Sequence, residues 1–249
     1  MHHLLKRAAA DLAAAQNVVA LTGAGISTES GIPPFRGKGG LWERFDLMEI
    51  AHIDVLRGDP AKVWRILVKE MKEIVDQARP NDGHKGLVKL EELGLLKTVI
   101  TQNVDGLHQM AGNTDVIEFH GTFAWQRCMD CHQRVETHKV DMTEIPPRCE
   151  CKGILRPDVV FFGELIPPHH LWRSRQVAAD CDVMLVVGTS AIVQPAALMP
   201  VIAKNSGAKV IEINPESTPL THQISDYLIL GRAGEVMNRI LAELEQVIR

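Results

Sequence analysis

Two close cysteine pairs, Cys128-Met129-Asp130-Cys131 and Cys149-Glu150-Cys151, stand with 17 residues between them. Four thiolates can close a tetrahedral shell around one zinc ion, which leaves no open position for catalysis and makes the metal a structural staple. Such a staple would stabilise a small lobe that has little core of its own. A redox dithiol is the rival use of the same residues. The second pair is one residue shorter than the usual C-x2-C knuckle, so the spacing leaves its local geometry open. Cys181 stands apart at the entrance to an apolar run and reads as a buried spectator.

A second group of residues suits a phosphate-bearing ligand. Val18 to Leu21 runs into Thr22-Gly23-Ala24-Gly25-Ile26-Ser27-Thr28-Glu29-Ser30-Gly31. Gly23-x-Gly25 after a strand lets backbone amides approach a pyrophosphate. The third glycine of the usual dinucleotide fingerprint would fall at Thr28, and no acidic residue ends a second strand where that fingerprint expects one. A tight turn of any α/β protein therefore remains open for the glycines taken alone. Gly31-Ile32-Pro33-Pro34-Phe35-Arg36-Gly37 follows, then Gly39-Gly40-Leu41-Trp42. Arg36 can pair with phosphate and Phe35 can lie over a flat ring, so the loop reads as a lid over a ligand.

Polar groups also gather where apolar runs stop. Thr98-Val99-Ile100 ends in Thr101-Gln102-Asn103-Val104-Asp105-Gly106-Leu107-His108, and Val116-Ile117-Glu118-Phe119 ends in His120-Gly121. Gln102, Asn103 and Asp105 offer groups suited to a carboxamide and to sugar hydroxyls. His120 is placed to act as a general base near neutral pH. His108 and the histidines at 52, 84, 132, 138, 169, 170 and 222 read as structural. Val183 to Val187 ends in Gly188-Thr189-Ser190, Val210 to Ile213 in Asn214-Pro215, and Tyr227 to Leu230 in Gly231-Arg232-Ala233. Together these tips outline a long site for phosphate, ribose and adenine.

The elements that would carry these tips follow from periodicity. Near-continuous apolar runs suit strands covered on both faces of a parallel sheet. Helical spacing marks Leu4 to Ala15, Val63 to Val75 and Val236 to Leu244. Alternation of the two predicts an open, doubly wound α/β sheet. Two stretches interrupt it, one helical and loop-like from about 30 to 80, the other polar and cysteine-bearing from about 121 to 157. Both read as insertions that pack together as a smaller lobe, leaving a ligand cleft between the lobes.

Bulk properties exclude several function classes. The net charge of -4 without a block of like charges gives no electrostatic track for nucleic acid. No apolar run approaches the ~20 residues of a membrane span, and no signal-peptide pattern opens the chain. The expected compartment is the cytoplasm. Nothing in the sequence sets the oligomeric state.

Taken in order along the chain, these stretches resemble the sirtuin family: Gly23-Ala24-Gly25-Ile26-Ser27, Gly31-Ile32-Pro33, Phe35-Arg36-Gly37, Thr101-Gln102-Asn103-Val104-Asp105, His120-Gly121, the cysteine pairs, Phe162-Gly163-Glu164, Gly188-Thr189-Ser190 and Ile213-Asn214-Pro215. The resemblance covers nearly the whole chain and is specific because so many motifs keep their order. It implies one catalytic domain. The large Rossmann-like lobe would take approximately 1–36, 81–120 and 158–249; the helical module 37–80 and the zinc module 121–157 would form the small lobe.

The resemblance also implies an NAD-dependent protein-lysine deacetylase whose partners are acetyl-lysine-containing proteins. Gly23, Ala24, Gly25, Thr28, Phe35 and Arg36 would contact NAD. Gln102, Asn103, Val104 and Asp105 would hold the nicotinamide end; Gly188, Thr189, Ser190, Asn214 and Ala233 would hold the adenosine half. Asn103 and His120 would be catalytic, and one zinc per chain would sit on the four cysteines. Phe162, Gly163, Glu164 and, in the segment after Ser190, Val193 would sandwich the substrate peptide by strand addition. The implied chemistry releases nicotinamide and O-acetyl-ADP-ribose through an alkylimidate, with His120 drawing a proton from the ribose hydroxyls. Removal of longer apolar acyl groups and mono-ADP-ribosyl transfer are the alternatives. A non-catalytic NAD sensor has no need of His120, and a dehydrogenase fits the broken fingerprint poorly.

Two departures from the family bear on the cofactor loop's hinge and on acyl specificity. Pro34 stands where the family often has aspartate, in the cofactor loop. Leu67 and Glu70 align with the Tyr-x-x-Arg pair that grips dicarboxyl acyl groups in some members, so acetyl or a longer apolar acyl is expected here rather than succinyl.

Overall fold

The computed structural model describes residues 1–34, 40 and 50–248. Its centre is a six-stranded sheet with order β3-β2-β1-β7-β8-β9 and every neighbouring pair parallel. The strands are β1 (Val18–Thr22), β2 (Leu96–Thr101), β3 (Val116–Glu118), β7 (Val183–Val187), β8 (Lys209–Asn214) and β9 (Tyr227–Leu230). All five residues of β1 and of β7 are buried, as their unbroken apolar runs require when both faces are covered.

Alternate strand residues feed two cores. On one face Val18, Ala20, Leu185 and Val187 pack under α1 (His2–Ala14), α5 (Asp82–Glu92) and α9 (Ala233–Val247). On the other, Val19, Leu21, Met184 and Val186 meet α7 (Pro168–Asp180) and α8 (Met199–Asn205). The expected doubly wound α/β sheet is present. Its order reverses between β1 and β7, so the crevice expected of such sheets opens above the tips of those two strands.

Three helices escaped the periodicity for physical reasons. α5 contains Gly83 and Gly86; at Gly86 a Cβ would come within 2.9 Å of Met237, so the gap in the apolar pattern is what lets α9 approach. α7 is polar along much of its length, and α8 has only seven residues.

A second sheet, antiparallel with order β5-β4-β6, is formed by β4 (Gly121–Cys128), β5 (Arg134–Glu136) and β6 (Leu155–Val159). Packed on it are α2 (Ile53–Gly58) and a helical run from Pro60 to Gln77. The spacing of Val63 to Val75 predicts one regular helix. Instead α3 (Pro60–Val63) passes through a π-turn at Trp64–Val68 into α4 (Lys69–Gln77). Trp64 is buried there and its indole N–H donates to the Leu155 carbonyl at 2.9 Å, which ties the turn to β6. Among the described residues, no helix is long and apolar enough to cross a membrane.

Candidate functional site

The β1 and β7 tips meet at the sheet's reversal. Gly25 N–H donates to the Gly188 carbonyl at 2.7 Å and Gly23 N–H to the Val187 carbonyl at 3.1 Å. A Cβ on Gly23 would lie 2.7 Å from Thr189 Cβ, and one on Gly25 would lie 2.7 Å from Gly188 Cα. The glycines are therefore demanded by contact between two tips distant in sequence, and both amides are engaged within the protein. Close approach to a pyrophosphate was the reason the sequence suggested; tip-to-tip packing is the reason the structure gives. After Gly23 the chain turns through a 3-10 helix, Ala24–Ser30, which Gly31 closes at φ +85°.

Above these tips lies a cleft of about 980 Å³, at the upper end for ligand sites. Gly23, Ala24, Gly25, Thr28, Gln102, Asn103, Val104, His120, Gly188, Thr189, Ser190, Asn214 and Ala233 all line it. Phe162, Gly163, Glu164 and Val193 line it too, so the residues expected to meet cofactor and those expected to meet peptide share one space. Asp105 is the exception: with Ser27, Asn103 and Val104 it faces a small adjoining cavity. Phe35 and Arg36 lie outside the described residues, as does the rest of the expected lid from Gly37 to Gly39 with Leu41 and Trp42.

Gln102, at the end of β2, bridges the tips: its amide donates to Thr189 Oγ1 at 2.9 Å. Asn103 is buried and donates to the Gly23 carbonyl and to Ser27 Oγ, each at 3.1 Å. Ser27 Oγ donates in turn to Asp105 Oδ2 at 2.7 Å, and the Leu107 N–H caps the other oxygen at 3.0 Å. Burial pushes the Asp105 carboxyl above its ordinary range, against the pull of these hydrogen bonds. Ser27 is a residue that sequence reasoning left without a role, although it stands inside the glycine motif.

His120 follows β3 and sets its ring edge-on to Phe119, with centroids 5.4 Å apart. Its Nδ1 lies 3.0 Å from the Gln102 carbonyl oxygen. A carbonyl can only accept, so Nδ1 carries the proton and Nε2 keeps a free lone pair. Burial draws the imidazole below its ordinary value of 6.5, and the Gln102 bond opposes that fall. His120 is thus a neutral base on the wall of the cleft. His84 and His108, by contrast, lie buried beneath the β1–β2 tips; His108 Nε2 is 2.9 Å from Thr22 Oγ1.

The cleft also has an apolar wall that the sequence only partly signalled. Leu67, Val68 and Met71 reach it from the π-turn and α4 and pack with Phe123 and Phe161. Glu70 is not among the lining residues, whereas Pro34 is. At the far end, Pro215 to Pro219 line the cleft next to Asn214; an isolated sequence tip gave no sign of how far this loop extends.

The four expected cysteine ligands come together away from the cleft, with their sulfurs all within 4.8 Å of one another. Cys128 and Cys151 Sγ are 3.5 Å apart, Cys131 and Cys149 Sγ 3.8 Å. Zn–S bonds of ~2.3 Å in a tetrahedron require edges of roughly 3.8 Å, so this donor set fits one structural zinc.

The Sir2 family model matches residues 23–195. A relative from Pyrobaculum aerophilum named NAD-dependent protein deacylase 2 is 48% identical over 240 residues, covering 96% of this chain and 95% of its own. The solved structure of a Sir2 homolog–NAD complex superposes with a TM-score of 0.90 at 45% identity, covering 100% of this chain and 95% of that one. A Sir2 variant in complex with deacetylated p53 peptide and 3'-O-acetyl-ADP-ribose superposes at 0.88 with 35% identity, covering 96% and 98%.

Proposed function

The chain belongs to the Sir2 family, and on that premise we propose how its cleft carries out NAD-dependent deacetylation of protein lysines. It is an NAD-dependent protein deacylase. NAD is the co-substrate and supplies an electrophilic ribose carbon to the acyl oxygen; the products are nicotinamide, free lysine and O-acetyl-ADP-ribose, reached through an alkylimidate.

The chain's own groups divide the work. Ala24 and Thr28, with Phe35 and Arg36, take the phosphates and shield the reacting centre, over a cleft floor to which Gly23 and Gly25 contribute backbone. Gln102, Asn103, Val104 and Asp105 receive the carboxamide end, with Asn103 held by Gly23 and Ser27 so that its side chain needs no reorganisation on binding. Gly188, Thr189, Ser190, Asn214 and Ala233 hold the adenosine half. Phe162, Gly163, Glu164 and Val193 seat the acetyl-lysine peptide along its main chain. His120 accepts a ribose-hydroxyl proton at Nε2, the nitrogen left free by the Gln102 carbonyl. That single arrangement, a neutral imidazole with its acceptor nitrogen free on a wall shared by both substrates' residues, carries the proposal.

The two lobes are assigned as approximately 1–36, 81–120 and 158–249 for the larger, with 37–80 and 121–157 for the smaller. We assign the enzyme to the cytoplasm. The apolar wall of Leu67, Val68, Met71 and Phe123 favours acetyl and also admits longer apolar acyl groups.

Incubation with adenine-labelled NAD and an acetyl-lysine peptide tests this. The expected result is deacetylated peptide and labelled O-acetyl-ADP-ribose by mass, with a succinyl-lysine peptide turned over far more slowly. Label retained on protein would signify ADP-ribosyl transfer instead, and a preference for succinyl would overturn the acyl assignment.

A further inference from the structure

A half-hidden ion pair is built into the edge of the cleft where the peptide residues lie. Arg156 sits in β6 beside Leu155, which packs against Cys128 and Cys149. Its guanidinium grips Glu164 with both arms, Nη1 to Oε1 and Nη2 to Oε2, each at 2.7 Å. It also donates to the carbonyls of Pro157, at 3.2 Å, and Val159. Its central carbon lies 4.8 Å from the centre of the Phe161 ring. Glu164 Oε2 accepts the Phe161 N–H at 2.9 Å as well. Only 12% of the arginine side chain and 23% of the glutamate side chain are exposed.

A pair removed from water in this way contributes little net stability, because desolvation offsets most of the attraction. Its consequence is geometric. One guanidinium fixes the chain at positions 157, 159, 161 and 164, and so sets the course of the segment between them. Three other ties converge on that segment. Val160 N–H donates to the His120 carbonyl at 2.8 Å. Phe162 forms a parallel bridge with His52, with hydrogen bonds of 2.9 Å to Ala51 and from Ile53. Gly163 adopts φ +84°, and a Cβ there would lie 2.6 Å from His52 Nε2. The segment is thus where the base's backbone, the cysteine-bearing sheet and the helical module meet.

We infer that Arg156 and Glu164 are positioning residues for the acyl-lysine peptide. The pair holds the Phe162–Glu164 edge in the shape to which the substrate main chain adds, and Glu164 acts through Arg156 rather than by touching the peptide with its carboxylate. The inference rests on the deacetylase function proposed above and refines the role of Glu164 within it. Recognition through main-chain hydrogen bonds depends on the conformation of the receiving edge more than on its side chains. The planar arginine fork holds both carboxylate oxygens of Glu164 at once, which a lysine ammonium does not reproduce.

Steady-state kinetics on wild type, Glu164→Gln, Arg156→Lys and Arg156→Met test the pair, with ADP-ribose affinity measured separately by calorimetry and folding by circular dichroism. Expected is a rise of about tenfold in peptide KM for Glu164→Gln and Arg156→Met, with kcat changed less than about threefold. Arg156→Lys should fall between wild type and Arg156→Met, and the ADP-ribose Kd should not move. The pair would lose its role if peptide KM stayed at the wild-type value in any folded variant that breaks it. Peptide KM and ADP-ribose Kd rising in parallel would also overturn it, since that marks general loosening of the cleft. Should wild type fail to turn over the peptide, the proposed function fails. Binding of the fluorescently labelled peptide to wild type and Glu164→Gln then tests the pair on its own, and equal affinities would overturn it.

Discussion

At the scale of single residues, the proposed chemistry turns on which nitrogen of His120 is free. The Gln102 carbonyl holds Nδ1–H, and the near-perpendicular contact with Phe119 packs the ring, so Nε2 is available without rearrangement. A positioned base contributes roughly 10²–10⁴-fold. His120→Ala should therefore lower turnover by about that factor while NAD affinity changes little; near-wild-type turnover would remove His120 from the mechanism. The sign of the pH dependence follows from burial. Burial lowers the imidazole pKa, so the basic form persists below 6.5 and the acid limb of kcat/KM should fall at a pH lower than that. An acid limb centred above 6.5 would contradict this environment for the ring.

At the scale of elements, the β1 and β7 tips act as one unit. Gly188 sits at φ +60°, and a side chain there would run into the Ile26 amide. Left-handed backbone strain costs ~1–3 kcal/mol before any clash is counted. Gly188→Ala should then lower the melting temperature by about 2–12 °C and weaken ADP-ribose binding, both readable in one thermal-shift titration. Unchanged melting would mean that the tips are not locked together. The same contact explains what could and could not be read from the sequence. Gly23-Ala24-Gly25 was legible as a ligand-side turn from local pattern alone. The cause of its glycines was not, because the partner tip lies more than 160 residues further along. The central strands of the parallel sheet were legible because unbroken burial leaves an unbroken apolar run; β4, β5 and β6 were not, because strands buried at only some positions read as a polar insertion. The π-turn was hidden because its apolar spacing matches a regular helix, yet it is what brings Leu67 and Val68 to the cleft. Asp105 stood in line with Gln102 and Asn103, but the cap it gives Leu107 turns its carboxylate into the adjoining cavity.

At the scale of the whole molecule, His84 and His108 link folding to pH. Burial, and for His84 also the charge of His108, lowers the two pKa values from 6.5 to about 3 and about 4. Both groups are neutral when folded, whereas the unfolded chain binds protons from about 6.5 downward. Their stabilisation is thus complete above 6.5 and is lost progressively as pH falls from there towards 4. With ~1.4 kcal/mol per pH unit for each group, unfolding free energy from urea titrations should drop by about 2–3 kcal/mol between pH 6 and pH 5. A flat profile over that interval would show that the two imidazoles are not buried neutral.

The proposed function has one central requirement: a single dinucleotide must lie across the tips of β1, β2, β7 and β8 with its nicotinamide-bearing ribose at His120. Crystals of the His120→Ala variant grown with NAD and acetyl-lysine peptide test this directly. The expected density places the pyrophosphate over Ala24, the adenosine along Ser190 to Asn214, and the ribose hydroxyls facing the space vacated by the imidazole. Density for the dinucleotide outside this cleft, or with the ribose turned away from position 120, would contradict it.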